Sequence, residues 1–218
     1  MVNQPLNISS IQSQLHSLAQ REGVSKWDLG ASRSSSASVQ VDRGEAKQLK
    51  ASQRSSITVR VWNQQGLVGI TSTSDLSDSG LEKALMGAHQ ASAFGNPDDV
   101  PGFSPLATAP QPDLHRPLQE PQGIQTLLDQ LLSAEKQLLG RHPAIGTLPY
   151  NALNEGSSER IYLNSEGALR QAQRTQASIF LMARAEESGR KPRSGGAVRV
   201  ALGSRDLDLT GCIEEAAE

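Results

Sequence analysis

Few side chains in this sequence combine the right chemistry with the right neighbours. Its four histidines, His16, His89, His115 and His142, are followed by Ser, Gln, Arg and Pro. A helical zinc site needs two histidines one turn apart on one face, with a glutamate beside them as base. None of the four has a histidine neighbour or an adjacent glutamate. His89 reads as a boundary position on a helix, and His115, close to Asp113 and Arg116, as a locally hydrogen-bonded residue. Cys212 stands near the start of a predicted helix, where a thiol pKa is lowered. It is a nucleophile only if the fold brings it a histidine, and a small buried residue is the simpler reading. The serines of "SRSSSAS" (32–38) lack the glycine frame of a nucleophile elbow. The acid pairs Asp98–Asp99, Glu186–Glu187 and Glu214–Glu215 diverge in direction and read as solvated surface. No catalytic residue and no metal ligand is assigned.

A second candidate is "TSTSDLS" at 71–77, which follows Gly69 and precedes a helix. A phosphate cradle wants several glycines and a lysine at the helix start. Here one glycine stands alone and no lysine comes before Lys83, so the stretch reads as the seam between a sheet and its covering helix.

The elements that must position these residues follow from periodicity. Ile11, Leu15, Leu18 and Ala19 predict a helix over 9–21, ending near Gly23. Short strands are expected in "KWDLGAS", "SASVQVDRG", "EAKQLKAS", "SSITVRVWN" and "LVGITST". In "SITVRVW", Ile57, Val59 and Val61 alternate with Thr58, Arg60 and Trp62. "DRGE" (42–45) and "NQQG" (63–66) supply hairpin turns. Leu81, Ala84, Leu85 and Ala88 predict a helix over 79–94, capped by Ser77, or by Ser79 with Glu82 in a capping box. Ile124, Leu127, Leu128, Leu131 and Leu138 predict another over 122–139, stopped by Gly140 and Pro143. Strands resume in "TLPYNALNEG", "SERIYLNSEG", "ALRQAQRTQASIFLMARAEESG" and "GGAVRVALGSR". A last helix starts near Asp208 or Thr210, with Glu214 and Glu215 near its positive end. The expected class is α+β, with antiparallel β-meander sheets covered by amphipathic helices.

Bulk composition narrows the function. The 218 residues carry a formal net charge of −2, and aromatics make up only 3%, so the core must be aliphatic. Nucleic-acid binders show a basic domain or stripe. The only basic run, "RKPRSGGAVR" (190–199), reads as a solvated hairpin turn, so nucleic acid is disfavoured as a partner. The single cysteine favours a reducing compartment, and no stretch is long and apolar enough for a membrane span or a signal core, so a cytoplasmic location is expected. Seven of the eleven prolines fall within 95–121. The expected organisation is a helix, meander and helix unit at 1–95, a Pro-rich linker or strap at 96–121, and a second helix with strands at 122–218. The chain is expected to end at the start of a truncated helix, with a C-terminal domain absent.

"SASVQVDRGEAKQLKASQRSSITVRVWNQQGLVGITSTSDLSDSGLEKALMGAHQASAF", the later "NSEG" turn and "VRVALGSRDLDLTGCIEEAA" together resemble the TldD/PmbA family, once called modulators of DNA gyrase. The resemblance spans nearly the whole chain, and its specificity lies in the order of the segments. It implies an N-terminal α+β domain followed by a β-rich domain in the full protein. It also implies paired subunits of a metal-dependent peptidase that trims leader or unfolded peptides. A TldD-like partner has a His-Glu-x-x-x-His helix that binds zinc. That motif is missing here, and "STSDLS", "GNPDDVPGF" and "APQPDLHRP" are similar to the PmbA/TldE side, which lacks it. No cofactor is therefore expected in this chain, and zinc is expected in the TldD-like partner. No catalytic position carries over. Arg60 stands at the family's arginine in the Val-Arg-Val strand. Alternation points it away from the apolar side, where it can pair with a carboxylate, contact a peptide or partner, or be solvated.

Three functions compete at this level. The first is the N-terminal domain of a non-catalytic subunit that docks a TldD-like partner, or self-associates, around extended peptides. The second is a regulatory module acting on DNA gyrase or DNA. The third is a self-sufficient hydrolase built on Cys212.

Overall fold

The structure is a computed structural model that describes residues 6–98, 100–110, 117–147 and 150–218. The elements are α1 (Ile8–Arg21), β1 (Lys26–Asp42), β2 (Glu45–Trp62), β3 (Val68–Thr73), α2 (Asp78–Ala91), α3 (Ile124–Leu139), β4 (Ile145–Thr147), β5 (Ala152–Asn164), β6 (Leu169–Ala185), β7 (Arg193–Ala201) and α4 (Leu209–Ala217). Short 3₁₀ turns follow α2 (Ser92–Phe94) and precede α4 (Ser204–Asp206). The described strands form a seven-stranded antiparallel sheet in the order β3-β2-β1-β5-β6-β4, with β7 also paired to β6. The expected α+β meander with covering helices is therefore observed.

The strands are longer than their side-chain pattern suggests. Segments expected as separate short strands merge, so that β1 runs 17 residues and β2 runs 18. Apolar alternation lapses in their middles, where serine hydroxyls pair across strands instead: Ser32 with Ser56 at 3.1 Å, Ser36 with Ser52 at 2.9 Å and Ser35 with Ser157 at 2.9 Å. Cross-strand hydroxyl pairs suit a ladder carried by its main chain. The turn between β1 and β2 has Arg43 at φ 55° and Gly44 at φ 78°. Two successive positive φ values match the right-handed twist of a two-residue hairpin.

The chain packs as two compact units that are not consecutive in sequence. Unit one draws on the described residues of 1–34, 54–115 and 158–173, and unit two on those of 35–53, 116–157 and 174–218. In unit one, Ile11, Leu15 and Ala19 of α1 and Leu81, Ala84, Leu85 and Ala88 of α2 are buried with Leu29, Ile57, Val59, Val61, Ile161 and Leu163. A Cβ on Gly69 would lie 1.9 Å from the Ala88 carbonyl oxygen, so only glycine lets β3 run this close beneath α2. The "TSTSDLS" hydroxyls build that seam. Thr73 Oγ1 accepts from Asp75 N (3.1 Å), Asp75 Oδ1 from Ser77 N (2.9 Å) and Ser77 Oγ from Gly80 N (3.2 Å). Ser77, rather than Ser79, is thus the cap of α2.

In unit two, Leu127, Leu131 and Leu138 of α3 and Cys212, Ile213 and Ala216 of α4 are buried with Val39, Val41, Leu153, Ile179 and Leu181. Asp208 caps α4 by accepting from Gly211 N at 2.9 Å. The helix starts at Leu209, so Glu214 and Glu215 lie beyond its first turn rather than at its positive end. Two carboxylates are buried here. Glu135 accepts from Gly44 N (2.7 Å) and Asn151 Nδ2 (3.1 Å). Glu155 accepts from Gln122 N (2.8 Å), Ser204 N (3.1 Å) and Ser204 Oγ (2.9 Å). Removing such an acceptor strands its donors away from water. Glu135→Ala is expected to lower unfolding stability in urea by about 3 kcal/mol, whereas Lys136→Ala on the exposed side of α3 shifts it by less than about 0.5 kcal/mol.

Candidate functional site

Alternation along the unit-one strands decides what its second sheet face carries. Trp27, Leu29 and Ala31 of β1, Ile57, Val59 and Val61 of β2, and Ile161 and Leu163 of β5 belong to the core. Their neighbours therefore point the other way: Lys26, Asp28, Gly30 and Ser32, then Thr58, Arg60 and Trp62, then Arg160 and Tyr162.

Asp28, on β1, lies between two strands that both serve it. It is only 3% exposed. Its Oδ1 accepts from Arg60 Nε at 2.8 Å, a second Arg60 nitrogen contacts Oδ2, and the Tyr162 hydroxyl donates to Oδ2 at 3.1 Å. The two parallel contacts make a fork-to-fork ion pair. The Asp28 hydrogen bond raises the already high Arg60 pKa. Burial, and next the Asp28 charge, push the Tyr162 phenol above its ordinary value. Arg60 thus pairs with a carboxylate while its half-buried guanidinium also lies 5.3 Å from the Trp62 ring centroid.

The Pro-rich segment joins this face. Trp62 Nε1 donates to the Pro101 carbonyl at 3.0 Å, and the Phe103 ring meets Trp62 edge-on at 5.0 Å and 79°. Lys26 Nζ sits 5.0 Å from both ring centroids, within cation–π range. Arg170 reaches the Leu106 carbonyl at 3.2 Å.

Beside these groups is an open cleft of about 390 Å³, whose lining includes Gly30, Thr58, Arg160, Tyr162, Arg170 and Ala172. Among the described residues no Asp or Glu lines it. A Cβ on Gly30 would meet nothing within 4 Å. The arrangement offers the Arg160 guanidinium beside small residues, which is binding chemistry, and among the described residues no lining side chain is an imidazole or thiol that could activate a nucleophile.

The other residues singled out in the sequence do not converge on this cleft. His16 is exposed beside Gln20 Nε2 at 3.2 Å, and exposed His142 accepts from Ala144 N at 3.1 Å. His89 is half-buried, a boundary position as read. His115 with Asp113 and Arg116, and Asp99, lie outside the described residues. Cys212 is fully buried, 3.7 Å from the Ala197 carbonyl oxygen. Burial raises its pKa, the reverse of the lowering expected at a helix start. In the basic segment, Arg190 pairs with Glu187 at 2.8 Å and Arg199 with Glu215 at 2.7 Å. Among the described residues no three His, Cys, Asp or Glu side chains come together as metal ligands, so these residues do not fit a metal ion. No helix among them is long and apolar enough to cross a membrane. The sequence reading missed Asp28, Tyr162, Arg160 and Arg170. A lone acid inside "KWDLGA" and a tyrosine alternating with Ile161 and Leu163 were the available signals.

Two family models match the chain in order. PmbA/TldA metallopeptidase domain 1 covers residues 27–91, and the PmbA/TldA metallopeptidase central domain covers 118–218. No curated protein matches. Among solved structures, a candidate modulator of a DNA gyrase from Thermotoga maritima is similar at TM-score 0.81 and 17% identity, covering 97% of this chain and 47% of that one. TldE from Thermococcus kodakarensis is similar at TM-score 0.76 and 16% identity, with 94% and 46% covered. A candidate modulator of DNA gyrase from Bacteroides thetaiotaomicron is similar at TM-score 0.74 and 16% identity, with 95% and 48% covered. At these identities the likeness is one of fold, and the chain spans about half the length of the structures it matches.

Arg60→Met leaves Asp28 buried without its cation and is expected to cost about 3 kcal/mol, whereas Asp28→Leu combined with Arg60→Met costs less than the two single changes summed. A urea double-mutant cycle measures both. The raised Tyr162 pKa means that the folded state holds this proton more tightly than the unfolded chain does. That stabilisation is complete below about pH 10 and is lost as pH rises through the folded-state value. Stability measured from about pH 9 upward should therefore fall less steeply in Tyr162→Phe. Cys212 should react with iodoacetamide at least about tenfold more slowly in the native protein than in urea.

Proposed function

The chain belongs to the PmbA/TldD family, and from that premise we propose that it is the N-terminal part of a PmbA/TldE-like, non-catalytic subunit of a metallopeptidase complex acting on extended or leader peptides. The observation that carries this reading is the open cleft on the second sheet face of unit one, whose lining joins small residues, Gly30 and Ala172, to the exposed Arg160. Extended chains are recognised through main-chain approach and through strand addition at sheet edges, and β3 stands at one end of the strand order. Arg60, half-buried at the same face, is a candidate contact for a peptide or partner. The described residues gather no set of side chains that could hold a metal ion. A TldD-like partner would supply the zinc, which activates water and polarises the peptide carbonyl. The single, buried, free Cys212 suits a cytoplasmic setting.

The test is co-purification of the full-length protein with a TldD-like protein from the same cell. A stable complex is expected, with zinc in the partner and chelator-sensitive peptidase activity only in the mixture. Absence of a complex would overturn the reading. Stoichiometric zinc with turnover in this protein alone would do so as well.

A further inference from the structure

We infer that the cleft on the polar face of the unit-one sheet binds an extended peptide through its carboxylates, with Arg160 as the anchoring cation. The inference rests on the peptide-handling reading above and adds the chemistry of the peptide.

The charge on this face is opposite to that of the chain. The sequence carries a net −2. Yet among the described residues the cleft lining includes Arg160 and Arg170 and no Asp or Glu. The nearby carboxylate, Asp28, is already matched by Arg60 and Tyr162. Arg170 is committed in part to the Leu106 carbonyl. Arg160 is exposed and pairs with no carboxylate among the described residues. A guanidinium presents a planar fork of donors that matches a carboxylate bidentately, and here it stands beside a floor that main chain can approach. Gly30 adds to that floor, because open space lies where its Cβ would be.

A carboxylate fits better than nucleic acid. Single strands are held by stacking bases on exposed rings along a strongly basic groove. Trp62 is 4% exposed and edge-on to Phe103, so its ring is not open for a base to stack on. The cleft volume, about 390 Å³, lies in the range of sites for small ligands or short segments rather than of a polymer groove.

Fluorescence anisotropy on the full-length protein tests this, with a labelled octapeptide of alternating Glu and Gly against its Gln-Gly counterpart. The acidic peptide is expected to bind about tenfold tighter at low salt, with the gap closing as salt rises. Arg160→Gln, at an exposed position, should weaken the acidic peptide about fivefold and leave the amide peptide unchanged. Gly30→Leu should fill the cleft and abolish binding of the acidic peptide while the thermal midpoint holds. Equal affinity for the two peptides overturns the inference, and so does an Arg160→Gln protein that binds the acidic peptide normally. An oligothymidylate that binds more tightly than the acidic peptide overturns it too and reassigns the face to phosphate. The assay needs no partner subunit. Lost peptide binding with an intact complex therefore sinks this inference alone, and a failed complex with intact peptide binding sinks only the subunit assignment.

Discussion

A carboxylate removed from water costs several kcal/mol unless donors surround it, and four of them, each answered within its own unit, fix how the loops meet the strands. Glu135 takes the Gly44 N–H and the Asn151 amide. Glu155 takes the main chain just before α3 and at Ser204. In unit one, Glu159 accepts from Leu6 N at 2.9 Å and from the Gln171 side chain at 3.0 Å. These three bind mostly main-chain N–H groups and side-chain amides, and one of them serves where the local sequence provides no cap. Helix α3 illustrates this: it begins after Gly123 with no side-chain cap, while Glu155 holds the residue before that glycine.

Asp28 is the fourth, and its donors differ. It is met by a guanidinium and a phenol from the two strands that flank β1, rather than by the main chain. Its charge is therefore neutralised locally, and among the described residues of this face Arg160 stays without a carboxylate partner. The same pairing holds Arg60 against Trp62, and Trp62 in turn holds Pro101 and Phe103. One buried acid thus links the sheet, the Pro-rich segment and the polarity of the cleft.

The division of unit one into a covered face and a polar face comes from alternation of period two. One face is sealed by α1 and α2, and α2 approaches closely enough that Gly69 admits no Cβ. The other carries polar and charged side chains, small residues where the cleft opens, and aromatic rings where the Pro-rich segment lies down. Binding at such a face draws on what the strands present, which suits an extended ligand better than a deep catalytic pocket would.

Much of this was legible in the residues. The apolar stripes of α1, α2 and α3, the hairpin turns at Arg43–Gly44 and Gly167, the structural role of "TSTSDLS" and the family's order of segments are all local patterns, and local patterns survive in one dimension. The length of β1 and β2 was not legible, because serine-rich middles carry no periodicity and their continuity lies in main-chain pairing with strands far along the chain. The ion pair beside the cleft was hidden for the same reason. Arg60 and Tyr162 stand 32 and 134 positions from Asp28, and no spacing rule joins them. The sequence by itself determined which side of each apolar strand segment faces the core and which stripes make the helices. Only the tertiary structure decided which polar residues share a face, because strand order is set by pairing between distant segments and by the burial of charges that need each other.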